Sequence, residues 1–159
     1  MRRSVAKAFF ALGQALHAVQ DFYAHSNYVE MQAATVDRVT DVEIVAPWRP
    51  GAKDMIARLR ATGLVSGYVW WGLPKACASG SPSHGDLAKD SEETTAGKKR
   101  VPRWDNLSQH RAAVVLAREA SLEMMRDAFA KWPLLGEVNG RDVAFEVMVD
   151  RRSLEDATR

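Results

Sequence analysis

The chain has four histidines, and their placement suggests chemistry. His17, Asp21 and His25 follow one another at intervals of four. In a helix each such step advances about 400°, so successive members are offset by only about 40° and share a stripe. Imidazole nitrogen and carboxylate oxygen are borderline donors that suit zinc, and i, i+4 pairs on a helix are a common way to present them. The stripe lies beside Leu16 and Phe22, and burying unpaired polar groups next to apolar side chains is costly. A plain structural use competes with this reading: His17 filling a packing gap, Asp21 in a salt bridge, His25 exposed. The H-x3-D pattern alone also arises by chance. His84 stands in Ser83-His84-Gly85-Asp86-Leu87-Ala88-Lys89-Asp90, and His110 near the start of a later helix. There the helix dipole disfavours imidazolium and keeps a ring neutral and able to ligate. Two helices and a loop would then converge on one site.

These residues need elements to hold them. Apolar residues at Val5, Phe9, Leu12, Leu16, Val19 and Phe22 or Tyr23 predict one long helix from Ser4 to about Val36. Residues 36–50 read as irregular, ended by Pro47 and Pro50. A short helix is expected over 54–61, with Gly63 as its left-handed cap. Residues 64–72 favour an extended segment, and 74–103 read as a long loop of the functional or disordered kind. Asp105 is expected to cap a second long helix reaching Trp132 and stopped by Pro133. Phe145, Val147 and Val149 alternate as a strand would. Residues 1–150 read as a single helical domain and 151–159 as a flexible tail.

Composition narrows the classes. Of 159 residues, 47% are hydrophobic and 26% charged, which is ordinary for a folded domain. Lys and Arg total 22 against 20 Asp and Glu, a net charge of +2, so bulk charge argues for no nucleic-acid partner. The lone Cys77 excludes an intramolecular disulfide framework. The early apolar stretch is broken at Gly13-Gln14, so no cleaved signal peptide is expected. No apolar run is long enough for a membrane span. A soluble protein is expected, with a non-classical route if exported; oligomeric state is not legible.

The segment Leu16-His17-Ala18-Val19-Gln20-Asp21-Phe22-Tyr23-Ala24-His25-Ser26-Asn27-Tyr28-Val29-Glu30 resembles the signature of the Het-C family, named for a fungal heterokaryon-incompatibility protein. His84-x2-Leu87-x-Lys89-Asp90 resembles that family's downstream element, and His110 with the alanine-rich stretch after it resembles a later one. The family is in turn similar to zinc-dependent phospholipase C and the S1/P1 nucleases. The resemblance implies a mainly α helical bundle of that type with a long irregular metal-site loop. It also implies Zn2+, from one to three ions, held by His17, Asp21, His25, His84, His110 and Asp90. Glu30 would orient the site from behind. Against that pattern, a later H-x3-E pair is missing, since position 114 is Val114. The N-terminal tryptophan of those enzymes has no counterpart, and the motif falls so early in the chain that either this is an N-terminally truncated fragment or the site is a reduced one.

The implied activity is a metal-dependent phosphodiester hydrolase of phospholipase C type, with metal-activated water as nucleophile. Asp21 or Asp90 would bridge metals or take the proton. A phosphate ester is the expected substrate, a phospholipid head group among the candidates. Lys89 and the Lys98-Lys99-Arg100 run would attract it, and Tyr68, Trp70, Trp71 and Trp104 would either contact a membrane surface or pack in the core. A nuclease-type hydrolase belongs to the same class. Two other readings stand beside it: a non-catalytic metal-binding domain of a toxin or incompatibility system, and a helical domain whose histidines are unrelated in space.

Overall fold

The computed structural model describes residues 2–68, 80–133, 141–142 and 144–146. Its described part is mainly helical. The longest element, α1 (Arg2–His25), holds the predicted apolar spacing without a proline. It ends eleven residues before the expected Val36, and α2 (Tyr28–Ala33) follows after Ser26 and Asn27. The break comes from side chains rather than from a proline. The Ser26 hydroxyl donates back to the Phe22 carbonyl and accepts from the Tyr28 amide, so it replaces helical bonds on both sides. Asn27 donates to the Gly63 carbonyl at 2.9 Å and accepts from the Val65 amide at 2.8 Å.

Residues 36–50 are irregular apart from a 3-10 turn at Val39–Asp41. Helix α3 (Ala52–Ala61) closes as predicted: Gly63 has φ +105°, its amide reaches Arg60, and the Leu64 amide reaches back to Leu59. These are the paired bonds of a Schellman cap. Residues 66–68 are partly extended, bridging Ser26 and Ser83; residues 64 and 65 carry no regular structure, and residues 69–72, with Trp70 and Trp71, lie outside the described residues, as does Cys77.

The long loop is better ordered than its composition predicts. It holds the one-turn helix α4 (His84–Leu87), started by a Ser83/Asp86 capping box, and the strand β1 (Arg100–Val101), which pairs antiparallel with β2 (Leu107–Ser108). Asp105 does not cap the next helix. It sits at φ +50° beside Asn106 at +58°, in the turn closed by the Leu107 amide on the Trp104 carbonyl; Asp and Asn tolerate this left-handed region best among non-glycine residues. Helix α5 (Gln109–Lys131) starts four residues later, and Ser108 caps it by accepting the Arg111 amide at 3.1 Å. Ser108→Ala should therefore lower stability by about 1–2 kcal/mol in urea denaturation. A value near zero would remove Ser108 from the cap.

The chain divides into two compact units, 1–18 with 122–159, and 19–121. In the first, Val5 and Ala6 are buried with Phe9 and Trp132 against them, and the Phe9 ring meets Trp132 edge-on at 5.0 Å. Residues 144–146 are helical and Phe145 is 66% exposed, which corrects the strand expected there; Val147, Val149 and the expected tail lie outside the described residues. In the second unit Tyr23, Tyr28, Val29, Trp104 and Leu116 are buried. Ala112, Leu116 and Ala120 form a buried stripe on α5 at helical spacing. Trp104 is thus a core residue and unavailable to a membrane surface. Among the described residues, no helix is long and apolar enough to cross a membrane.

Candidate metal centre

Three separate segments of the second unit meet at one point. His25 ends α1, His84 opens α4, and Asp90 follows α4 in the loop. One ligand atom from each lies within 4.8 Å of the others. His25 Nε2 is 3.3 Å from Asp90 Oδ1, and the two imidazole rings stack with centroids 3.8 Å apart. In a tetrahedral zinc site, bonds of about 2.0–2.2 Å place ligand atoms roughly 3.3–3.5 Å from each other. The His25–Asp90 separation matches that edge. That separation fits a cation held between them. His25 Nδ1, the other ring nitrogen, is buried without a hydrogen-bond partner, so the ring lacks the outer hydrogen bond that usually orients a metal-bound imidazole.

Local sequence explains the convergence. The break after His25 lets the Gly67 amide bond the His25 carbonyl at 3.0 Å, and the His84 amide bond the Tyr68 carbonyl at 2.8 Å. Residues 66–68 thereby splint the two histidines together. A side chain at position 67 would fit nowhere, because a Cβ there would stand 2.6 Å from His84 Cα and from the Ser83 carbonyl oxygen. Gly67→Ala should push α4 away, cost about 1–3 kcal/mol as an overpacked contact, and lower zinc affinity in calorimetric titration. A variant that melts and binds zinc like the parent would show that this close approach is not needed.

Asp21 lies one turn before His25, with Oδ1 3.9 Å from His25 Nε2. It is outside the three-residue group but at its edge. His17 is not in the group. Eight residues of helix rise about 12 Å, so an ion at His25 that reaches Asp21 does not reach His17. Instead His17 lines a cavity with Phe9, Phe10, Gly13 and Gln14, in the first unit. His110 is also outside the group. Its Nδ1 sits 2.7 Å from the Lys89 carbonyl, and a carbonyl only accepts, so Nδ1 carries a proton and donates to it.

Burial pulls the His25 pKa below its ordinary 6.5 and His84 adds to this, while Asp90 and Asp21 oppose it. The net direction keeps the ring neutral and able to ligate near neutral pH.

The sequence placed Lys89 on the substrate side. The structure corrects that: its side chain is 0% exposed. Burial lowers its pKa, opposed by Glu30. Glu30 Oε2 faces Nζ at 3.3 Å, an ion-pair contact rather than an aligned hydrogen bond. Of the basic run, Arg100 faces Glu92, while Lys98 and Lys99 are exposed.

A family model described as the VWA7 N-terminal domain matches residues 2–40, about a quarter of the chain. No curated protein and no solved structure matches. The match contains the whole of the Leu16–Glu30 segment and corrects the resemblance drawn from it. The family model that this segment fits is that domain, not Het-C, and no phospholipase C or nuclease family is found. A phospholipase-type bundle therefore has no support beyond the mainly helical character of the chain.

Proposed function

We propose that His25, His84 and Asp90 bind a single divalent transition ion, zinc by the nature of the donors, and that the centre hydrolyses a phosphodiester. The observation that carries the reading is the approach of these three ligand atoms to within 4.8 Å of one another. Two imidazoles and a carboxylate leave a fourth tetrahedral position open, the arrangement of catalytic rather than structural zinc. Bound there, the ion would lower the pKa of a water toward about 7 and offset charge on a phosphoryl oxygen. Asp21, at the edge of the group and 48% exposed, would take the proton from that water. The exposed Lys98 and Lys99 supply the cationic approach for an anionic ester; Lys99 is close enough for its charge to act on Lys89, the neighbour of Asp90.

Zinc titration followed by assay on bis(p-nitrophenyl) phosphate, a phospholipid and an oligonucleotide tests this. About one zinc per chain and zinc-dependent release of nitrophenol are expected. Because His25 is held below 6.5, proton competition at this ligand should set in only below that pH. Zinc without turnover on any substrate would overturn the hydrolase and leave a non-catalytic metal-binding domain. No zinc uptake would overturn both.

A further inference from the structure

Lys89 is a fully buried cation beside the metal centre, and none of the chemistry above uses it. Its side chain and backbone together touch every element that carries a ligand or a neighbour of one. Nζ donates to the Ser26 carbonyl at 2.7 Å and to the Leu87 carbonyl at 2.9 Å, and it faces Glu30 Oε2 at 3.3 Å. An ammonium has three donors; two of them are used on carbonyls, and the Glu30 carboxylate supplies an ion-pair contact beside them. The Lys89 amide bonds the Ala24 carbonyl at 3.0 Å, and its own carbonyl receives His110 Nδ1 at 2.7 Å. Ser26 and Ala24 flank His25, Leu87 ends the helix that His84 opens, and Asp90 is the next residue. With its side-chain amide turned over so that the nitrogen faces acceptors, Gln109 donates to Glu30 Oε1 and to the Ala96 carbonyl, each at 3.0 Å.

We propose that Lys89 is the positioning residue of the metal centre: its buried ammonium ties the end of α1, the end of α4 and α2 together, so that His25, His84 and Asp90 are held at ligand separation before any ion arrives. The shape of the group matters. One tetrahedral nitrogen donates to two carbonyls and faces a carboxylate from a single point, whereas a planar guanidinium spreads its donors over a wider fork. Groups that orient metal ligands typically change affinity by about 10–100-fold when removed.

This inference rests on the metal reading, and the test separates the two. Zinc affinity and the visible spectrum of the cobalt-substituted protein are measured for the parent, for Lys89→Arg, and for Lys89→Met combined with Glu30→Met. The double variant removes both charges, so it leaves no uncompensated buried ion. The expected result is a folded double variant, by circular dichroism, that binds zinc about 10–100-fold more weakly and shows an altered cobalt spectrum. Lys89→Arg should fall between it and the parent. A merely structural role would return parental affinity and spectrum in any variant that folds, and that result overturns the proposal. If neither variant folds, Lys89 holds the fold rather than the site, and the proposal fails. A parent that binds no metal overturns the metal reading itself, a result the variants cannot mimic.

Discussion

His84→Ala should abolish zinc binding and leave the fold standing. In the proposed centre the side chain would supply one of three protein ligands, and a centre reduced to His25 and Asp90 would no longer be a zinc site of ordinary strength. Since removing even a supporting group costs about 10–100-fold in affinity, loss of a direct ligand should exceed about 100-fold. The fold should tolerate the change for identifiable reasons. The capping box that starts α4 uses Ser83 and Asp86, and the splint to residue 68 uses the His84 amide, which alanine keeps. Stability without metal should move by no more than about 1 kcal/mol. His17→Ala is the control: His17 lies away from the cluster, so zinc affinity should not change. Isothermal titration on both variants reads the result. Equal losses in the two would mean that the ligands follow the helical stripe and not the three-segment cluster.

Trp104→Ala should give the largest loss of stability. Trp104 is 2% exposed, and its Nε1 donates to the Val36 carbonyl at 2.9 Å. It joins the loop after α2 to the hairpin that leads into α5. Removing a buried tryptophan costs about 3–5 kcal/mol through lost contacts and the cavity left behind. The orphaned Val36 carbonyl adds about 1–3 kcal/mol unless water reaches it. Against a typical total of about 5–15 kcal/mol, the variant should be marginal or unfolded at room temperature. Trp104→Phe keeps most of the ring but not the donor, and should cost about 1–3 kcal/mol. Guanidinium denaturation of both variants checks the order. A loss below about 1 kcal/mol for alanine would mean that the tryptophan is not part of the core.

Much of this architecture was legible from periodicity and punctuation. The apolar repeat located α1, Gly63 marked the end of α3, and Pro133 marked the end of α5. Of the six ligands expected, His17, Asp21, His25, His84, His110 and Asp90, the last supplied only by the family resemblance, the structure brings His25, His84 and Asp90 within ligand reach of one another. Other features were invisible for physical reasons. The break at Ser26–Asn27 depends on partners nearly forty residues away, at Gly63 and Val65, and no local pattern reports them. Asp105 and Ser108 are both good cap residues; only the hairpin, which forces Asp105 to positive φ, decides between them. The stripe argument gathered His17 with Asp21 and His25 because it counted angle and neglected rise along the helix. Lys89 looked like surface charge because burial of a lysine needs partners from Ser26, Glu30 and Leu87 at once. The Glu30 and Lys89 positions were in view, but nothing in their spacing pairs them.

The central claim is that His25, His84 and Asp90 form one metal centre with an open position. X-ray absorption on the zinc-loaded protein tests it most directly. The account predicts a four-coordinate ion with two imidazole nitrogens and two oxygens at about 2.0–2.2 Å, one oxygen from Asp90 and one from water, and loss of one imidazole in His84→Ala. A shell containing sulfur, or one whose imidazole count does not change in that variant, would contradict it.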